Sequence, residues 1–253
     1  MIRAISLQSG SNGNCYYVES GTTRVLFDAG ISGLQAQRRL EAFGVDIRRV
    51  DAVVLSHDHR DHVACAGVYN RKFGIPLYAT EKTLRAAGRS ILGELRDVRY
   101  FRPGDTLEFG PLSVETLPTP HDGAEGVAFI VQAGQDRMGL MTDLGHAFAG
   151  LREAIGTLDG VFLESNYDPE MLRKGPYPYP LQQRIRGSAG HLSNEESAEL
   201  LRGAPRLRWA CLAHLSQENN HPDLAVRTHR RIIPAKLPLR VASRHEPTGV
   251  FEL

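Results

Sequence analysis

The chain has 253 residues, 42% of them apolar and 23% charged, with a formal net charge of +1, which describes a soluble globular protein and excludes disordered, collagenous and coiled-coil chains. No window approaches the roughly 18–20 uninterrupted apolar residues of a membrane span, and the start lacks the basic-then-apolar pattern of an export signal, so residence in the cytoplasm and no membrane partner are expected. Cys15, Cys65 and Cys211 are too few and odd in number for a disulfide framework, and near-neutral charge means that any phosphate binding has to come from a local patch.

Segments 2–7, 15–19 and 24–28 are apolar or alternating and separated by Gly, Ser and Asn turns, so the chain opens with a β-meander. The first turn, Ser9 to Asn14, is rich in residues that accept unusual backbone angles, and reads either as a tight hairpin or as a loop that brings main-chain NH groups to a pocket. A helix over 32–43 with Ser32 as N-cap is followed by a buried strand over 51–56. Helix 62–73, strand 76–79 and helix 81–87 repeat the alternation, and a β-rich stretch runs from 98 to 141. Helix 148–155, strand 160–163, helix 194–202, strand 209–213, helix 222–232 and closing strands 239–242 and 250–253 complete the reading. A β-then-αβ block used twice predicts an α/β fold of two mixed β-sheets face to face with helices outside. No Ser/Gly or Pro-rich linker divides it, so one domain over residues 1–253 is expected.

Ten histidines are the feature to explain. The segment Ser56-His57-Asp58-His59-Arg60-Asp61-His62 follows a buried strand directly. His57 and His59, two residues apart on a turning backbone, can aim at one cation, while Asp61 and His62 open the next helix and reach a second. Imidazole and carboxylate without thiolate suit Zn2+ first, with Mn2+ or Fe as alternatives.

In this segment the sequence resembles the metallo-β-lactamase superfamily, whose four-layer αββα sandwich carries an HxHxDH motif on the loop after a core strand. The resemblance extends along the chain. Asp28 in Leu26-Phe27-Asp28-Ala29-Gly30 is similar to the early aspartate that supports the metal loop. His121 in Pro118-Thr119-Pro120-His121-Asp122 resembles the third histidine, Asp143 in Met141-Thr142-Asp143-Leu144-Gly145 the bridging carboxylate, and His214 in Ala213-His214-Leu215-Ser216 the last histidine. The resemblance implies one metal held by His57, His59 and His121 and another by Asp61, His62 and His214, with Asp143 between them. Two such cations activate water and stabilise both oxygens of a displacement, and Asp61 would orient that water.

Within the superfamily, no Cys fills a ligand slot, which argues against β-lactam hydrolysis. Gly190-His191-Leu192-Ser193-Asn194-Glu195-Glu196 resembles the HxT-helix element of ribonuclease Z-like phosphodiesterases, whose histidine faces the scissile phosphate; it is also a capping box of Ser193 with Glu196. Together with Leu163-Glu164-Ser165-Asn166-Tyr167-Asp168 and Ala213-His214-Leu215-Ser216-Gln217-Glu218-Asn219-Asn220, it resembles the YycJ/WalJ-type branch. That resemblance implies a metal-dependent phosphodiesterase or nuclease acting on nucleic acid, with 5'-3' exonuclease action on DNA and a link to DNA repair. Lys174, Arg184 and Arg186 flank Tyr177-Pro178-Tyr179-Pro180 and are candidate phosphate contacts, or a solvated helix face. No appended nucleic-acid module is seen, so a long duplex would be gripped poorly or through a homodimer. His146 is expected to support a ligand carboxylate, Glu164 to anchor a loop, His221 and His245 to be structural, and His229 to lie at the surface. The metal motif alone leaves open a small-molecule hydrolase, either a cyclic phosphodiesterase or a glyoxalase II-like thioesterase. A metal-holding scaffold or redox protein is a third class.

Overall fold

The computed structural model describes residues 1–233 and 235–253. In chain order the first half comprises β1 (Arg3–Gln8), β2 (Cys15–Ser20), β3 (Thr23–Phe27), α1 (Gly33–Glu41), β4 (Ala52–Val54), α2 (Arg60–Val63), α3 (Ala66–Phe73), β5 (Leu77–Ala79), α4 (Glu81–Leu92) and β6 (Val98–Tyr100). The second comprises β7 (Thr106–Phe109), β8 (Leu112–Pro118), β9 (Val127–Ala133), β10 (Asp136–Met141), α5 (Ala149–Gly156), β11 (Gly160–Glu164), α6 (Pro169–Lys174), α7 (Tyr179–Arg186), α8 (Asn194–Arg202), β12 (Trp209–Ala213), α9 (Pro222–Ile232), β13 (Leu239–Val241) and β14 (Phe251–Glu252).

The strands form two mixed sheets, in the orders β14-β1-β2-β3-β4-β5-β6 and β13-β12-β11-β10-β9-β8-β7. Strict alternation along the strands explains the layering. In β9, Val127, Phe129 and Val131 enter the core between the sheets, whereas Ala128 and Ile130 face the helices on the other side. The inter-sheet core is aromatic, with Phe27 against Phe129 and Phe162 against both Tyr16 and Trp209. A second core joins the first sheet to α1 and α3, and a third joins the second sheet to α5, α8 and α9. Helix, sheet, sheet and helix are therefore the four layers, as the sequence predicts.

Three local departures have physical causes. The predicted helix over 62–73 is broken into α2 and α3, because Cys65 leaves helical geometry and its NH bonds the Ala29 carbonyl at 2.9 Å. Gly88, at φ 72° and ψ 162°, interrupts α4 just beyond its predicted end. Helices α6 and α7 were not predicted; Asp168 caps α6 by accepting from the Glu170 and Met171 amides, and α7 buries none of its residues, so it carries no apolar periodicity to read.

β3 to β6 run parallel, as do β10 to β13. Their carboxyl ends gather on one edge of the sandwich, the edge where open α/β sheets bind ligands.

Candidate metal centre

Each donor lies beyond the carboxyl end of a strand, His121 after β8 and the others after β3, β4, β10 and β12. Asp28, Asp143 and His214 immediately follow β3 and β12 or lie two residues past β10, and all three have left-handed backbones, at φ 61°, 58° and 54°. That geometry costs a non-glycine residue about 1–2 kcal/mol and is kept where surrounding structure enforces it. Here it turns each side chain out of its sheet into the gap between the two. The His57 to His62 loop, after β4, is clasped by backbone: Asn14 NH bonds the Asp61 carbonyl and Ala29 NH the His62 carbonyl, both at 2.7 Å. Gly30 is required at this clasp, because a Cβ there would lie 1.7 Å from the Asp61 carbonyl oxygen.

The hydrogen bonds set which imidazole nitrogen is free. Ser56 Oγ donates to Asp28 Oδ2 at 3.0 Å and accepts from His57 Nδ1 at 2.9 Å, leaving His57 Nε2 buried without a partner. His62 Nδ1 donates to Asp28 Oδ2 at 2.6 Å, and His121 Nδ1 to the Gly190 carbonyl at 2.9 Å, so both present Nε2. His59 Nε2 lies 3.4 Å from Asp122 Oδ1, and its Nδ1 lies 3.2 Å from His121 Nε2. Two nitrogens sharing a tetrahedral cation at 2.0–2.1 Å would be ~3.3 Å apart.

Two donor clusters result. His57, His59 and His121 form one, and Asp61, His62 and His214 the other, each with ligand atoms within 4.8 Å of one another. Asp143 spans them: its Oδ2 is 3.2 Å from His62 Nε2 and otherwise unpartnered, while its Oδ1 is 3.6 Å from His121 Nε2 and 3.3 Å from His214 Nδ1. Orphaned buried donor atoms, the close imidazole pair and the oxygen and nitrogen chemistry all fit divalent metal ions.

The electrostatics agree. Burial pushes the His57 imidazole well below its usual pKa, with repulsion from His62 adding to it. Burial also opposes charge on His62 and His214, but nearby carboxylates win: Asp28, Asp143 and Asp61 hold His62 well above its usual value, and Asp143 with Asp61 and Glu164 lifts His214 to about 10. Burial raises Asp143, yet His214 and His62 outweigh it and hold the carboxyl well below the usual range. The gap between the sheets is a cation-seeking site.

A further grouping of Asp143, Glu164, His191 and His214 has metal-binding spacing. It is better described as a hydrogen-bonded network, because His191 Nδ1 is already committed to Glu164 Oε1 at 2.6 Å. Glu164 Oε2 accepts from Leu144 NH at 3.0 Å, which ties it to the Asp143 loop. Burial raises this carboxyl, but His191, and secondarily His214, pull it down to about 2. His191 Nε2 has no protein partner among the described residues and is the ring nitrogen open to a ligand.

The family model described as the metallo-beta-lactamase superfamily matches residues 9–202. The chain belongs to this superfamily. It is 36% identical over 224 residues to exodeoxyribonuclease WalJ of Streptococcus pneumoniae serotype 2, covering 87% of this chain and 83% of that one. It is 33% identical over 233 residues to exodeoxyribonuclease YycJ of Bacillus anthracis, covering 91% and 88%. Among solved structures, the metallo-beta-lactamase fold protein YhfI from Bacillus subtilis superposes with a TM-score of 0.79 over the whole of both chains at 18% identity, which speaks for the fold alone.

Several sequence expectations need correcting against the geometry. His146 does not touch a ligand carboxylate: the left-handed turn at Gly145 carries it away, and its Nδ1 donates to the Ser188 carbonyl at 2.7 Å, bracing the loop before His191. Lys174 pairs with Glu170 at 2.6 Å and lines a groove with Glu195, Glu218 and Arg231 that contains none of the metal-centre donors. Arg184 is committed to Asp122 at 2.6 Å rather than free for phosphate, whereas Arg186 is exposed and has no ion pair among the described residues. His229 is buried, not at the surface. Glu164 holds His191 as well as a loop. Sequence reasoning missed Asp122 and Asn14; the Asn14 amide lies 3.3 Å from Asp61 Oδ2 and 3.0 Å from His62 Nε2. Adjacency to His121 was the one available signal for Asp122. No helix among the described residues is long and apolar enough to cross a membrane.

Proposed function

We propose that this chain is a single-domain, two-metal phosphodiesterase of the cytoplasm that hydrolyses nucleic acid, DNA foremost, from a strand end. Zn2+ is the first-choice cation, with Mn2+ or Fe as alternatives. One observation carries the reading: two donor clusters share Asp143, and His191 stands beside them, anchored by Glu164. The two exodeoxyribonuclease relatives, 33% and 36% identical over most of both chains, support the substrate class.

His57, His59 and His121 would hold one cation and Asp61, His62 and His214 the other, with Asp143 reaching both. When bound, the pair supplies Lewis-acid stabilisation of the phosphoryl oxygens and acidifies the attacking water. Asp61 accepts a hydrogen bond from that water and aligns it, and the Asn14 amide steadies the Asp61 carboxylate. Water oxygen bonds to phosphorus, giving up one proton along its hydrogen bond to Asp61, as the bond to the departing oxygen breaks. His191 Nε2 delivers a proton to that oxygen, and Glu164 keeps the ring turned for it.

Protein of verified metal content is tested on bis-p-nitrophenyl phosphate, a thioester, and end-labelled DNA and RNA in single- and double-stranded form. Phosphodiester cleavage with progressive shortening of DNA from an end is expected. Turnover of the thioester alone would reject the reading.

A further inference from the structure

A cavity of about 440 Å³ lies next to the metal centre, lined by apolar Leu215, Pro222 and Val241 together with polar Gln217, His221 and Arg244. This is within the range of small-molecule sites, about 300–1,000 Å³. Its walls are the segments that follow β1, β12 and β13. β1 runs parallel to β3 through two antiparallel pairings, and β12 and β13 run parallel to β10 and β11, so the cavity opens on the same edge as the donor clusters. The connection is direct. The His214 NH donates to Ser9 Oγ at 2.8 Å, and Ser9 NH bonds the Ser243 carbonyl at 3.0 Å.

Arg244 is the unusual side chain here. Arg137, Arg184, Arg206 and Arg208 each meet a carboxylate. Among the described residues Arg244 has no carboxylate within ion-pair reach; Nη1 bonds only the neutral Gln217 Oε1, and Nη2 is buried with no partner. Burial lowers its pKa, opposed by Tyr177 and Glu218. Its backbone is held, since Asn12 Nδ2 donates to the Arg244 carbonyl at 2.9 Å. The guanidinium packs on Gly10, where a Cβ would lie 3.0 Å from Nη2. Gly10 in turn exchanges hydrogen bonds with the Asn14 side chain, which touches Asp61 and His62. A guanidinium short of an anion and an apolar wall, linked to Asp61 and His62 through Gly10 and Asn14, match the two halves of a nucleotide.

We propose that this cavity is a nucleotide subsite: it takes the base of a nucleotide flanking the scissile bond, with Arg244 on that nucleotide's phosphate. The proposal rests on the nucleic-acid reading above and says where the strand runs, past His214 and across the β1–β2 turn.

The test uses metal-loaded protein of verified occupancy, as wild type, Arg244→Gln and Gln217→Trp, the last being an exposed rim position that plugs the cavity without disturbing the core. Titration with dAMP is expected to show affinity roughly tenfold to a hundredfold weaker in Arg244→Gln, and weaker again than wild type in Gln217→Trp. In kinetics, Arg244→Gln is expected to lower kcat/KM for a short DNA oligonucleotide at least tenfold more than for bis-p-nitrophenyl phosphate, which has no flanking nucleotide. Unchanged dAMP affinity in both variants, or equal losses on the two substrates, would overturn the subsite. If wild type cleaved neither substrate, nucleic-acid hydrolysis would fall, and the dAMP titration would still decide the cavity.

Discussion

Lowering the pH is expected to loosen the seam between α8 and α9 through one residue, His229. Its side chain is buried; Nδ1 donates to the Ala225 carbonyl at 2.8 Å, and Nε2 accepts from Ser197 Oγ of α8 at 3.2 Å, so the neutral ring satisfies both partners. Burial, with a small contribution from Arg230, pulls its pKa from 6.5 to about 4, against the favourable bond to Ala225. The unfolded chain therefore takes up this proton below pH 6.5, whereas the folded chain resists until about pH 4. The contribution to stability is complete above pH 6.5, falls through the interval and is gone below pH 4. At about 1.36 kcal/mol per pH unit the whole effect is at most about 3 kcal/mol, of which about 2 kcal/mol is lost by pH 5. His229→Gln keeps a donor and an acceptor but cannot titrate. Urea midpoints of wild type and His229→Gln in matched buffers from pH 7.5 to 5 should converge by about 2 kcal/mol relative to their separation at pH 7.5; at an m-value of about 1–3 kcal/mol/M that is about 0.7–2 M. Other titrating groups cancel in the difference. Parallel pH curves, constant to within about 0.5 kcal/mol, would refute the assignment of a neutral buried imidazole.

Glu164→Gln is expected to lower kcat for a short DNA oligonucleotide about tenfold to a hundredfold with little change in KM, while His191→Ala lowers it about a hundredfold to ten-thousandfold; with bis-p-nitrophenyl phosphate, whose leaving group departs as a stable anion, both losses should be much smaller, and metal content by mass spectrometry should be unchanged in His191→Ala. Asp143→Asn removes the carboxylate that spans both clusters, so its metal content should drop below wild type and phosphodiester cleavage should be lost, as it should after chelation. Asp122→Asn unfastens His59 from α7 and should weaken metal affinity about tenfold to a hundredfold, measured by chelator competition; Arg184→Ala should shift it in the same direction by less.

The donor set was legible because its residue types are rare together and each follows a strand that can be recognised by its apolar run. The supporting partners were not, because Asn14, Asp122 and Glu164 look like ordinary turn and strand-end residues until the fold brings segments dozens of positions apart into contact. The signature segments after β11, before α8 and after β12 show the difference. Read as strings, Glu164-Ser165-Asn166, Ser193-Asn194 and Asn219-Asn220 carry only a resemblance; in three dimensions Asn194 and Asn220 exchange amide hydrogen bonds at 3.0 and 2.9 Å, and the Asn220 amide also holds the Ser165 and Asn166 carbonyls. Asn166 Nδ2 then donates to the carbonyl of His214 at 2.9 Å. This buried net fastens His214 in its left-handed conformation and fixes the start of α8, which follows His191 by only three residues. Polar groups enclosed this way are costly unless every partner is present, so a change at Asn220 would be felt at both histidines although it touches neither. The strain in the strand ends and the net that restrains it are two parts of one device, and only the ligands it presents are visible in the linear pattern.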